Sequence, residues 1–150
     1  MVLETGERAP SVEARNQDGD RVTLTYEGTT VLYFYPRDDT RGCTIEARQF
    51  SEELPSYRDA GVDVYGVSTD DHESHREFTE KYDLDVPLLA DPDGEIADAF
   101  GVPIEDGAAQ RTTFVVVDGQ IVAVYEGVRP DGHAREVLRD LAEAGLVTVE

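Results

Sequence analysis

The segment Thr30-Val31-Leu32-Tyr33-Phe34-Tyr35 constrains the fold more than any other stretch of this chain. A half-exposed strand would alternate polar and apolar residues, and a surface helix would show polar residues on one side of a 3.6-residue period. A short run that is β-branched, aliphatic or aromatic throughout instead describes a central strand buried on both faces. Pro36 ends it, because proline cannot donate to a strand ladder.

The rest of the pattern builds outward from that strand. Residues 11–14 and 21–24 flank the turn-rich Asn16-Gln17-Asp18-Gly19-Asp20, which predicts an N-terminal hairpin. Cys43, Ala47, Phe50, Leu54 and Tyr57 share one face of a helix. Pro55 is expected to kink or interrupt its later turns, and Gly61 to stop it. A strand is expected over 62–68, a polar surface helix over 71–82 with Phe78 and Tyr82 four apart, and a short strand over 86–90. The turn Asp91-Pro92-Asp93-Gly94 leads into a short helix over 95–100. Residues 112–117 and 121–125 flank Asp118-Gly119, a hairpin signal, and a helix over 132–144 follows. This order, β-α-β then β-β-α around one sheet, predicts a thioredoxin-like three-layer α/β sandwich with an N-terminal β-hairpin extension, one domain over residues 1–150.

Composition narrows the function. The 33 acids and 13 bases leave a net charge of −20, and only Lys81 among the bases is lysine. Such a surface repels nucleic acids and anionic membranes, since affinity for polyanions comes from basic groups that displace counterions. Acids in this excess suit a cell of molar internal salt, where the Debye length is about 3 Å and neighbouring carboxylates barely repel; a halophilic protein is expected. The first residues lack a basic stretch followed by an apolar one, and no apolar stretch nears the roughly 20 residues that span a bilayer. A soluble, cytoplasmic protein is the expectation.

The chain holds one cysteine, Cys43, so no disulfide forms within it. It stands after a buried strand, a proline and a loop, in the first turn of a helix. There the unpaired backbone N–H groups and the positive end of the helix dipole favour thiolate, while Asp38 and Asp39 oppose Arg37 and Arg41 nearby. Ionising an ordinary thiol fully at pH 7 gains only roughly 30-fold, about 2 kcal/mol, against the 10⁶-fold or more that enzymes reach. A catalytic thiol therefore needs a hydroxyl and a cation beside it to orient a substrate and hold developing charge. Thr40 is the local hydroxyl, although Thr at that position is also a common helix cap. The competing reading of Cys43 is a buried, inert thiol.

Pro36-x-x-x-Thr40-x-x-Cys43 resembles the active-site signature of the peroxiredoxins. The wider FYPRDDTRGCTIEA is similar to the bacterioferritin comigratory protein branch, also called peroxiredoxin Q, as are GERAP, GVSTDDHESHREFTEKYDL, LLADPDGEIADAFGV and GVRPDGHAREVL in order along the chain. The resemblance implies that Cys43 is the peroxidatic cysteine, that the Thr40 hydroxyl hydrogen-bonds the peroxide, and that Pro36 shields the thiolate from water. It further implies that Arg111 holds the thiolate and a peroxide oxygen, and that Glu46 orients Arg111. By spacing alone Arg111 is one of 12 arginines with a solvated strand edge as its ordinary place, and Glu46 reads as a helix-surface acid.

The chain departs from the branch at one point. Many members carry a resolving cysteine five residues after the peroxidatic one, and here that residue is Arg48. The resemblance then implies a one-cysteine peroxidase acting on hydrogen peroxide and organic hydroperoxides in antioxidant defence. Its sulfenic acid would be regenerated by an external thiol: a small thiol, a thioredoxin-like protein or a glutaredoxin-like protein. A peroxide sensor acting on a partner through Cys43 is the alternative, and a monomer or weak homodimer is expected. No cofactor or metal is expected. His72 and His75 read as surface residues without zinc-type spacing, and Asp91-Pro92-Asp93-Gly94-Glu95 reads as a helix-capping turn rather than a calcium loop.

Overall fold

The structure, a computed structural model, describes residues 2–145. Its centre is a five-stranded mixed sheet. The strand at its middle, β3 (Thr29–Phe34), is buried at every position; β1 (Glu13–Arg15) and β2 (Arg21–Thr23) form the N-terminal hairpin that precedes it. After β3 come α1 (Arg41–Asp59), β4 (Val62–Ser68), α2 (His72–Tyr82), β5 (Leu88–Ala90) and α3 (Glu95–Ala99). A two-residue-strand hairpin follows, β6 (Ile104–Glu105) and β7 (Ala108–Ala109), then β8 (Thr112–Val117), β9 (Gln120–Glu126) and α4 (His133–Glu143). The sheet order is β5-β4-β3-β8-β9, with β3, β4 and β5 parallel and β8 and β9 antiparallel to their neighbours.

The two-residue period of β3 explains the layers. Val31, Tyr33 and Tyr35 point to one face and pack with the α1 stripe Cys43, Ala47, Phe50, Leu54 and Tyr57, with Phe78 of α2 and with Val137 and Leu141 of α4. Leu32 and Phe34 point to the other face, against α3, Phe100 and the N-terminal hairpin. Segments from the N-terminal part of the chain pair with β5 and with the start of β9, which shortens the free edges of the sheet. Gln17 bonds the Val86 carbonyl and the Leu88 N–H beside β5, and Arg8 bridges to Gln120 on β9.

Three local expectations change. Pro55 does not interrupt α1: it sits on the exposed side, and the buried Leu54 and Tyr57 on either side of it hold the helix to the sheet. The β6–β7 hairpin was not foreseen, because two-residue strands leave no periodicity. His75 is not a surface residue but is fully buried, while His72 stays partly exposed. The turn at Asp91 does cap α3, its carboxylate accepting the backbone N–H groups of Ile96 and Ala97 at 3.0 and 2.9 Å. No described helix is long and apolar enough to cross a membrane.

Candidate active site

The loop between β3 and α1 delivers the thiol. Pro36 stops the strand, and Thr40 takes the N-cap position with extended backbone (φ −98°, ψ 158°). Cys43 is then the third residue of α1. Thr44 makes the first helical hydrogen bond, to the Thr40 carbonyl at 2.8 Å, so Cys43 lies in the turn whose own N–H groups lack partners within the helix. No acid occupies that turn. The thiol is 1% exposed and belongs to the core between α1 and the sheet.

Arg111 arrives from the opposite direction along the chain. β8 runs antiparallel to β3 with Thr112 opposite Phe34, which places residue 111 beside the loop that leads to Cys43. One terminal nitrogen of Arg111 donates to Cys43 Sγ at 3.4 Å and the other to Glu46 Oε1 at 2.7 Å. Glu46, one helical turn after Cys43, is 0% exposed, so the surface reading of this acid does not hold. Burial pushes its carboxyl up to about 7, against the charge and hydrogen bond of Arg111. Burial also works against the Arg111 charge, but Glu46 and Cys43 together hold the guanidinium above its usual value. The solvated strand-edge reading of Arg111 fails for the same reason: its side chain is only 16% exposed.

Thr40 and Pro36 lie on the loop that leads into α1, and neither side chain hydrogen-bonds Cys43, Arg111 or Glu46. The Thr40 hydroxyl does not cap α1. It donates instead to the Arg37 carbonyl at 3.1 Å, three residues back in the same loop. That bond uses the hydroxyl proton and leaves the oxygen's lone pairs able to accept one. Pro36 is half-buried.

Sequence reasoning missed several neighbours of the site. Gly42 has no side chain where Arg111 passes: a Cβ there would stand 3.1 Å from Arg111 Nη2 and 3.3 Å from Pro130 Cγ. Tyr33 stacks on Phe50 with centroids 4.3 Å apart. Its buried hydroxyl, like Glu46 Oε2, has no hydrogen-bond partner among the described residues. Burial, with Glu46 and Cys43 nearby, raises that hydroxyl well above its usual value. A glycine directly before a helix-opening cysteine was the one signal available in the sequence. Beside the site, a cleft of about 830 Å³ runs between α1, the end of β9 and α4, lined by Gln49, Glu52, Val128, Arg129, His133 and Arg139 among others. The Val128 N–H donates to the Arg111 carbonyl at 3.4 Å and joins cleft to site.

A thiol in the first turn of a helix, touched by an arginine that a buried acid anchors, is an arrangement for nucleophilic sulfur chemistry. The model of the AhpC/TSA family matches residues 5–125. The chain belongs to this family. Among curated relatives, Peroxiredoxin Bcp of Bacillus subtilis is 35% identical over 95% of this chain and 98% of that protein. Peroxiredoxin Bcp of Escherichia coli is 36% identical over 94% and 97%. Among solved structures, the peroxidoxin BcpB of Mycobacterium tuberculosis superposes with a TM-score of 0.87 at 32% identity, covering 94% of this chain and 97% of that one. The bacterioferritin comigratory protein of Xanthomonas campestris, which has alkyl peroxide reduction activity, gives 0.83 at 33% identity, covering 90% and 92%. This peroxiredoxin therefore has the expected thioredoxin-like fold, and the resemblance to the bacterioferritin comigratory protein branch holds over nearly its whole length.

Proposed function

We propose that this thiol-dependent peroxidase works through Cys43 alone. The Cys43 thiolate attacks one peroxide oxygen; the S–O bond forms, the O–O bond breaks, and the departing oxygen takes up a proton to leave as water or alcohol. An external thiol condenses with the sulfenic acid to a mixed disulfide, releasing water, and a second thiol frees Cys43 and leaves as a disulfide with the first. No second cysteine exists in the sequence to resolve the sulfenic acid. The observation that carries this reading is the Arg111 guanidinium set 3.4 Å from Cys43 Sγ and fixed by buried Glu46.

Each remaining residue takes a role its geometry permits. Arg111 stabilises the thiolate and the negative charge that develops on the leaving oxygen. Thr40, its proton engaged by the Arg37 carbonyl, accepts a hydrogen bond from the peroxide O–H and so aims the O–O bond. Half-buried Pro36 limits the access of water. Hydrogen peroxide and organic hydroperoxides are the substrates, and the activity of the Xanthomonas campestris relative supports the second class. A thiol that must return to its reduced state belongs to a reducing compartment, the cytoplasm, where the enzyme serves antioxidant defence. Ile104 is the one large hydrophobic residue exposed among those described. That supports a monomer or weak homodimer, since obligate interfaces need an apolar face.

Stopped-flow oxidation of the reduced protein by hydrogen peroxide in molar KCl, with the intact mass read at the end, tests the reading. A second-order rate far above that of a free thiol, one added oxygen, and loss of both in Cys43→Ser are expected. Turnover retained in Cys43→Ser, or a wild-type rate no faster than free cysteine, would overturn it.

A further inference from the structure

The loop that carries Pro36 and Thr40 is held from below by a buried polar network that the peroxidase reading above does not use. Its hub is the His75 ring on α2, 0% exposed, facing the Asp38 side chain, 4% exposed. His75 Nε2 lies 2.9 Å from the Leu89 carbonyl of β5, and Nδ1 lies 2.7 Å from Asp38 Oδ2. A carbonyl can only accept, so Nε2 carries a hydrogen. Asp38 also accepts the Tyr35 hydroxyl on Oδ1 at 2.6 Å and the Ser74 hydroxyl on Oδ2 at 2.8 Å. The two hydroxyls donate to the carboxyl group, and Nδ1 faces the oxygen that takes Ser74 at 2.7 Å, so a hydrogen lies between Nδ1 and Oδ2. The Tyr35 oxygen, 3.3 Å from Nδ1, has lone pairs left to share that hydrogen.

The same network fixes the loop backbone. The Asp38 N–H donates to Asp70 Oδ2 at 2.8 Å, and Ser68 donates to that same oxygen at 2.6 Å. Asp38, Asp70 and His75 bring ligand-type atoms within 4.8 Å of one another. Those atoms are already engaged: His75 Nδ1 by the hydrogen between it and Asp38 Oδ2, both Asp38 oxygens and Asp70 Oδ2 by protein donors. The cluster is thereby a hydrogen-bonded tie rather than a metal cradle.

We propose that His75 is a positioning residue for the peroxide reaction: its ring, hydrogen-bonded through both nitrogens, ties the Asp38 carboxyl group, and with it the loop bearing Pro36 and Thr40, to α2 and β5. Displacing a reacting group by about 1 Å can cost on the order of 100-fold in rate, and Thr40 lies two residues beyond Asp38. The proposal rests on the role assigned to Thr40 above, and His75 itself touches neither sulfur nor peroxide.

The first test needs no variant. In ¹⁵N-labelled wild-type protein, the His75 ring, assigned by its proximity to the Tyr35 ring, is expected to show an attached hydrogen at Nε2 and a slowly exchanging, strongly deshielded hydrogen in the Nδ1–Asp38 bond. Ring hydrogens that exchange as fast as those of a free imidazole overturn the proposal. The second test is kinetic: His75→Gln is expected to slow Cys43 oxidation by hydrogen peroxide by about 10- to 100-fold, while alkylation by iodoacetamide, which needs no aligned O–O bond, stays near the wild-type rate. Tyr35→Phe removes only one donor to Asp38, keeps the ring, and is expected to slow the same step less, which covers the case of a His75→Gln chain that does not fold. Wild-type speed towards peroxide in these variants would overturn the positioning role alone. A wild-type protein no faster than free cysteine would instead overturn the peroxidase mechanism.

Discussion

Arg111 and Glu46 form a 2.7 Å ion pair in which the acid is wholly buried and the guanidinium mostly so. Burying two charges costs more than a surface pair can return, and removing one partner leaves the other stranded. The pair therefore does something besides stabilise the chain. It fixes the plane of the guanidinium so that its second terminal nitrogen meets Cys43 Sγ.

Removing Arg111 should then strike the chemistry directly. Arg111→Ala is expected to lower the rate of Cys43 oxidation by hydrogen peroxide about 10²- to 10³-fold, the usual loss for a donor aimed at developing charge. Arg111→Lys should recover little of it, because an ammonium cannot serve sulfur and carboxylate with two fixed donors. Stopped-flow rates for both variants measure this, and unchanged rates would remove Arg111 from the site.

Glu46 makes stability depend on pH in an unusual direction. Its carboxyl titrates at about 7 in the folded chain against 4.5 as the reference. The folded state therefore holds a proton that the unfolded state has lost over that window, and stability falls as pH rises through it. It is fully present below the reference value and is lost as pH climbs to about 7 and beyond. The size of the effect is on the order of 3 kcal/mol, from about 1.4 kcal/mol per unit. Chemical denaturation of wild type and Glu46→Gln from pH 4.5 to 8 in molar KCl should show the wild type losing stability relative to the variant. Parallel curves would mean that Glu46 stays ionised beside Arg111 throughout.

Gly42 offers a way to separate activity from stability. Its φ is not in the left-handed region, so alanine suits the backbone, and Ala favours a helix over Gly by about 0.5–1 kcal/mol. The added Cβ, however, would lie 3.1 Å from Arg111 Nη2, closer than the guanidinium tolerates without moving. Gly42→Ala is expected to melt at or above the wild-type temperature and yet to react with peroxide about tenfold more slowly, as a displaced catalytic group does. Loss of both together, or of neither, would count against the close approach.

What the sequence made legible follows from which interactions leave a local pattern. The run at 30–35 was readable because no position in it is left to solvent, the α1 face from Cys43 to Tyr57 because burial there repeats every 3.6 residues, and the β8–β9 hairpin because Asp118-Gly119 marks its turn. Arg111 was not readable from spacing: its partners lie 68 and 65 residues away and meet it only through the β3–β8 pairing. His75 looked exposed because α2 is polar almost throughout. Its burial comes from β5 and the β3–α1 loop, which cover that one position from outside the helix. Pro55 misled because a proline on the exposed side of a well-anchored helix costs a hydrogen bond without costing the contacts that hold the helix in place.

The charge of the whole chain carries the last prediction. Spread over 7852 Å² of surface, the acids other than buried Glu46, Asp38 and Asp91 stand roughly 16 Å apart on average, well inside a Debye length of about 30 Å at 0.01 M salt and well outside one of about 3 Å at 1 M. In dilute buffer each carboxylate feels several others, and with only 13 bases to offset them, unfolding relieves the repulsion. The melting temperature should therefore be higher in molar KCl than in dilute buffer. Salt also acts on apolar burial, so a second comparison isolates the charge: Glu52, Glu73 and Glu77, all exposed, replaced together by Gln should narrow the gap between the two salt conditions chiefly by raising the low-salt midpoint. Equal midpoints for the wild type in both conditions would refute adaptation to molar salt, and a gap untouched by the triple substitution would assign the effect to something other than carboxylate repulsion.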